Sequence, residues 1–329
     1  MPQDVSNSQQ PAADNIRVRL ERRLGVVHAR QRLGIEAEHE SHVFDRGGIR
    51  FFHPENWYSA HAVIRTSLKL VGMYGRARRN AHAIRVVTNQ ISLPSLPPGC
   101  DGLRILHLSD LHIDMSEHIV EHLIECIRHL SYDMCVLTGD YRFHTHGDYS
   151  AVLEGMAALR EHLTAPVYGV LGNHDTVKML PDLEQMGIEM LLNEHRRFAF
   201  NEAGVYVAGI DDAHFFGADN IEKAMHPIPL EAFTLFLSHT PEVYRQAAHA
   251  GADLFLCGHT HGGQICLPGG IPVLLDARIP RRLGKGAWQH AAMAGYTSPG
   301  AGSSIVDARL NCPPEVTLHI LRRGKQPAG

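Results

Sequence analysis

Residues 258 to 265 read GHTHGGQI, with His259 and His261 one residue apart inside a run of glycines that suits neither a helix nor a packed strand. Four comparable fragments precede it: Ser109-Asp110-Leu111-His112, Thr138-Gly139-Asp140, Gly172-Asn173-His174-Asp175 and Ser238-His239. Asp110, Asp140, Asn173, His112, His239, His259 and His261 are hard-to-borderline oxygen and nitrogen donors with no thiolate among them. That inventory suits divalent manganese, iron or zinc better than an iron–sulfur cluster or copper. Taken singly, each fragment has a bland explanation: D-x-H as a cap beside a surface histidine, G-D and G-N-H-D as turns. Their occurrence in order, each closing an apolar run, is what sets them apart.

Those apolar runs are the elements that must position the donors. Strands are expected at Ile84–Ser92, Arg104–Leu108, Met134–Leu137, Val167–Leu171, Val205–Ile210, Phe233–Leu237, Leu254–Cys257 and Val316–Leu321. Ile119, Val120, Leu123, Ile124, Ile127 and Leu130 form one stripe at helical spacing between the second and third. Alternating strands and helices predict layered α/β or α+β packing, and in α/β sheets sites collect beyond the carboxyl ends of the strands. Five strands thus deliver Asp, His or Asn to one edge.

The ordered set D-x-H, G-D, G-N-H-D, strand-end His and G-H-x-H resembles the calcineurin-like metallophosphoesterase superfamily over roughly residues 84–321. The extended G-H-T-H-G-G-Q, with Pro268 and Asn311-Cys312-Pro313-Pro314-Glu315, resembles a bacterial branch containing membrane-associated phosphodiesterases and UDP-2,3-diacylglucosamine pyrophosphatase. The resemblance implies a four-layer α/β sandwich, two mixed β-sheets flanked by helices. It implies a two-metal site in which Asp110, His112 and His261 hold one divalent ion and Asn173, His239 and His259 the other, with Asp140 bridging. His259 and His261 would then serve different metals. His174, beside a ligand, would be the general acid that protonates the leaving oxygen. The implied reaction is hydrolysis of a phosphodiester or pyrophosphate bond, with a lipid-linked nucleotide as the candidate substrate. A soluble cyclic-nucleotide phosphodiesterase or nuclease would share every ligand, and a non-catalytic metal scaffold is the rival from another class. Where protein phosphatases of the superfamily read G-D-Y-V-D-R-G, this chain reads Gly139-Asp140-Tyr141-Arg142-Phe143-His144, which argues against a phosphoprotein substrate. Arg142 is a candidate contact for the substrate phosphate, with an exposed loop arginine as the alternative.

The chain has 329 residues, 44% of them hydrophobic, and a net charge of -4, so it can bury a substantial core and gives no electrostatic reason to expect a nucleic-acid partner. Cys100, Cys126, Cys135, Cys257, Cys266 and Cys312 are scattered and read as reduced core thiols. Residues 1–15 are polar and expected to be disordered. Residues 16–83 read as a helical extension, with one surface helix over about 16–40, and residues 84–329 as the metallophosphoesterase domain. The stretch Asn56–Asn80 is amphipathic and basic, carries no acidic residue, and begins with Trp57 and Tyr58. It either packs on the domain or lies at a bilayer surface. A cytoplasmic location is expected, with peripheral contact at the inner face of the membrane if the second alternative holds. Asp211, Asp212 and His214 are read as a turn, with lining of the substrate cleft or support around a ligand histidine as the alternatives.

Overall fold

The apolar runs become the inner strands of two sheets. One sheet runs β1 (Arg85–Leu93), β14 (Glu315–Arg323), β2 (Arg104–Leu108), β3 (Met134–Leu137), β4 (Val167–Gly169) and β5 (Ile188–Met190). The other runs β12 (Gly286–His290), β13 (Met293–Thr297), β9 (Leu254–Cys257), β8 (Thr234–Leu237), β7 (Ala203–Gly209) and β6 (Glu194–Phe200). The structure, a computed structural model, describes residues 10–44 and 58–324, with side chains over 16–40 and 62–324. Residues 1–9, most of the segment expected to be disordered, lie outside the described residues, as does Trp57.

Side chains alternate across each sheet, as the pleat requires. Ile105, Val136 and Val170 face Val207, Leu235 and Leu256 between the sheets. Leu106, Leu108 and Leu137 point the other way, into a layer formed by α5 (Ile119–Ile127), α6 (Ser150–Arg160) and α7 (Leu180–Gln185). Phe236 and Phe255 likewise pack under α8 (Ile221–Met225) and α9 (Tyr244–His249). The result is the four-layer α/β sandwich. β2, β3, β4 and β5 are mutually parallel, as are β7, β8, β9 and β13, while β14 runs antiparallel to β2 and β6 and β12 run antiparallel to their neighbours, so both sheets are mixed. β3, β8 and β9 are buried along their whole length, which is why they read as continuous apolar runs without alternation.

Four strands of the two sheets were not legible as such, nor was the separate two-stranded pair β10 (Cys266–Leu267) and β11 (Ile271–Pro272). β6 is an edge strand reading EHRRFAF, and β5 has three residues. β12 and β13 read GAWQH and MAGYT, whose small residues make no apolar run. Gly295 opposes Trp288 across this pair, and a methyl group there would sit on the indole ring.

The N-terminal region differs from the single helix expected over 16–40. It forms two, α1 (Gln10–Leu24) and α2 (Val26–Phe44), broken at Gly25, whose φ of 88° is open to glycine at no steric cost. Leu20, Leu24 and Ala29 join the core beside the first sheet, and Arg23 reaches Glu184 at 2.7 Å and Glu194 at 2.6 Å. The basic stretch likewise divides, at Gly72 (φ 70°), into α3 (Tyr58–Leu70) and α4 (Tyr74–Ala81). Leu68 and Ala77 pack against Val306, Ala308 and Leu310, while Arg65, Arg76, Arg78 and Arg79 face solvent. One face of this stretch thus packs on the domain, and Val63, Leu70 and Val71 stay exposed alongside the arginines.

Candidate metal centre

The turns after β2, β3 and β4 of one sheet and after β8 and β9 of the other meet at one edge of the sandwich. Three overlapping groups each place potential ligand atoms within 4.8 Å of one another: Asp110, His112 and His261; His112, Asp140 and His174; and Asp110, Asp140 and His239. Asn173 completes the ring, its Oδ1 lying 2.9 Å from His239 Nε2 and 2.9 Å from His259 Nδ1. All seven sequence-predicted donors, with His174, are thus brought together and buried.

The backbone here is held in a conformation that L residues avoid. Asp110, His112, Asp140, His259 and His261 have φ of 50°, 43°, 56°, 71° and 48°. Each such residue costs on the order of 1–3 kcal/mol, and such strain persists only where the surroundings over-determine it. The neighbouring glycines make the close approach possible. A methyl at Gly172 would fall on Asp140 Oδ1, and one at Gly258 on Ser109 Oγ and Asp110 Oδ2.

Carbonyl oxygens orient the rings. His239 Nδ1 lies 2.7 Å from the Thr138 carbonyl and His112 Nδ1 2.9 Å from that of Arg142, which fixes N–H at Nδ1 and turns each Nε2 into the cluster. His112 Nε2 and His261 Nε2 face each other at 3.1 Å, and Asp140 Oδ2 lies 3.3 Å from His239 Nε2 and 3.8 Å from His112 Nε2. His174 Nδ1 bonds the Phe143 carbonyl, leaving Nε2 3.9 Å from Asp140 Oδ2.

Burial pushes His112 down to about 4 and holds His259 and His261 well below the usual histidine range, so these rings are neutral, the form that donates a lone pair to a cation. Burial opposes the charge of Asp140, but His239 and His174 beside it outweigh that and keep it a carboxylate. Buried N and O donors converging in this way fit divalent cations.

Arg142 is buried rather than exposed; its Nε donates to the His144 carbonyl and its own carbonyl holds His112. Asp212 closes a turn, accepting from Phe215 and Phe216 at 2.7 Å, whereas Asp211 faces Arg32 and His28. The His214 ring lies tilted against that of His259, 4.2 Å between centroids, and pairs with Glu242 at 2.8 Å. Sequence reasoning missed Arg309. Fully buried, it lies with Nη2 3.1 Å from His261 Nδ1 and donates to the Pro299 carbonyl at 2.7 Å. Nothing in its local sequence marks it.

The profile of the calcineurin-like phosphoesterase family matches residues 103–263. The chain is also 31% identical over 257 residues to an uncharacterised metallophosphoesterase of Bacillus subtilis, YkoQ, covering 74% of this chain and 93% of that protein. The chain belongs to the calcineurin-like phosphoesterase family. This phosphoesterase is accordingly a metal-dependent hydrolase, and its donor cluster is the part of the molecule built for that chemistry. It is 30% identical over 225 residues to the phosphodiesterase YaeI of Escherichia coli, covering 65% of this chain and 80% of that one. A Danio rerio transmembrane protein with a metallophosphoesterase domain is 26% identical over 276 residues, 77% of this chain, which spans 61% of that longer protein. Among the described residues of the phosphoesterase, no helix is long and apolar enough to cross a membrane.

Proposed function

We propose that this phosphoesterase hydrolyses a phosphodiester or pyrophosphate bond with two divalent ions, one held by Asp110, His112 and His261, the other by Asn173, His239 and His259, and Asp140 between them. The observation that carries this reading is the position of Asp140 Oδ2, which lies within 4 Å of ring nitrogens from both sets. Two bound divalent ions supply a water nucleophile at neutral pH and neutralise phosphoryl charge. The chain's own residues do the rest. The Phe143 carbonyl holds His174 at Nδ1, so Nε2 delivers the proton to the leaving oxygen. Arg142 contributes to the substrate phosphate through its guanidinium. The name of the Escherichia coli relative supports a diester over a monoester. Manganese, iron and zinc all suit the donor set.

Within that class the proposed substrate is amphiphilic, a lipid-linked nucleotide being the type case, reached from the inner face of the cytoplasmic membrane. A strap from Ile265 to Gly284 supports this. It leaves the ligand loop and returns to it, where Thr260 Oγ1 donates to the Gly284 carbonyl at 2.6 Å. Leu267, Ile271, Val273 and Leu274 on it are all more than half exposed, and Arg278, Arg281 and Arg282 face solvent beside them. Exposed aliphatic groups rimmed by arginines fit an anionic bilayer.

The test is turnover by purified protein reconstituted in turn with Mn, Fe and Zn, against diesters, lipid-linked pyrophosphates, cyclic nucleotides and monoesters. Diester or pyrophosphate cleavage that needs metal is expected. Its absence in every metal, or activity on monoesters alone, would overturn the reading. His174→Ala should keep its metal while kcat falls by about 10²–10⁴ on poor leaving groups and less on p-nitrophenyl esters; loss of metal would instead make His174 a ligand with His112 and Asp140.

A further inference from the structure

The geometry points to Arg32 and Glu36 of α2 as positioning residues that hold the Gly172–Val177 loop, and through it His174, in register with Asp140. Both side chains lie in a segment that precedes the family match at residue 103. Both are buried, Arg32 completely. Glu36 closes the first turn after the G-N-H-D segment, accepting from the Thr176 hydroxyl at 2.6 Å and from the Val177 main-chain N–H at 2.7 Å. Arg32 pairs with Glu36 at 2.9 Å, donates to the Asp175 carbonyl at 3.0 Å and reaches Asp211 at 3.3 Å. Its guanidinium lies 3.2 Å over the Phe216 ring, which fixes its plane.

These bonds grip the loop on the carboxyl side of His174. On the other side, the His174 main-chain N–H donates to Asp140 Oδ1 at 3.0 Å. His174 is therefore strung between the metal cluster and α2, and an unanchored turn at Thr176 would let its ring shift against the leaving group. A shift of about 1 Å in a reacting group costs up to roughly 10²-fold in rate. Ala29 and the partly buried Leu33 already give α2 apolar contact with the core, and the buried Arg32–Glu36 pair adds a polar hold on the loop to that packing.

The inference rests on His174 being the general acid, and the experiment separates the two. Glu36→Ala and Glu36→Gln are compared with the wild type for metal content, fold by circular dichroism, KM and kcat on a poor and a good leaving group, and amide hydrogen exchange over 172–177. The expected result for Glu36→Ala is unchanged metal, KM within about twofold, faster exchange at 172–177, and a fall in kcat of about 10- to 100-fold on the poor leaving group with a smaller fall on p-nitrophenyl esters. Glu36→Gln, which still accepts from Val177, should recover most of both. Unchanged exchange, or equal losses on both leaving groups, would overturn the positioning role. If Glu36→Ala fails to fold, Arg32→Lys, which keeps the charge but loses the forked contact, is read by the same two criteria. Exchange at 172–177 decides the latch even if the wild type cleaves no diester, an outcome that would sink the function and not the latch.

Discussion

The Asp175 carboxylate accepts the main-chain N–H of Asp140 at 2.8 Å, although the two are 35 positions apart. The same group accepts from Gly172 at 2.8 Å and Tyr141 at 2.9 Å, so the last residue of G-N-H-D ties the turn after β3 to the turn after β4. An asparagine offers one acceptor oxygen and turns N–H groups toward the remaining donors. Asp175→Asn should therefore cost about 2 kcal/mol or more of stability. Chemical denaturation measures it, and a midpoint equal to the wild type would show that the carboxylate is dispensable.

Asp140→Asn should lose turnover and retain fewer than two ions per chain, because the proposed bridge touches both sets of donors. Elemental analysis after dialysis gives the stoichiometry. Two ions with undiminished activity would remove Asp140 from the bridging role.

Gly258→Ala introduces a methyl onto Ser109 Oγ and Asp110 Oδ2, both in the buried turn that follows β2. Overpacking of this kind costs about 1–3 kcal/mol, and here it also moves a proposed ligand. A lowered melting temperature together with weakened metal retention is expected. Loss of stability with metal affinity intact would separate packing from coordination.

Asp211 makes the attachment of α2 sensitive to acid. Burial works against its charge, but the Arg32 guanidinium and the hydrogen bond from His28 outweigh it and hold the carboxyl below its ordinary value. A group with a lowered folded pKa contributes stability that is fully present above its unfolded value of about 3.9 and is lost as pH falls through the folded one. Asp211→Asn should thus be less stable than the wild type at pH 7, with the gap closing below about pH 4. Melting curves of both proteins from pH 3 to 8 check this; a gap independent of pH would mean that the effect is steric.

Vesicle binding should depend on the strap more than on α3 and α4, whose buried side packs on the domain. Basic residues near an anionic surface contribute about 1 kcal/mol each, and the exposed aliphatics add apolar insertion. In co-sedimentation with phosphatidylserine-containing vesicles at low salt, Ile271→Glu with Val273→Glu should bind weakly while hydrolysing small soluble esters normally. Failure of the wild type to sediment would withdraw the membrane contact.

The sequence by itself determined the donors. Each motif is local: an apolar run that must be a buried strand, a glycine that lets the chain turn, and a polar side chain at the end of it. β2, β3 and β9 therefore begin and end where the runs do. The tertiary structure alone decided which strands share a sheet, that β12 and β13 complete one of them through a glycine under Trp288, and that Gly25 and Gly72 each break a helix. It also decided the fate of the arginines. Arg32 lies in the stretch expected to be a surface helix and nothing in the sequence singles out Arg309, yet both are fully buried. Burial of a charge depends on partners such as Asp211, which lies 179 positions from Arg32. A buried arginine and a solvated one have the same local sequence, and only the fold supplies the acceptors that tell them apart.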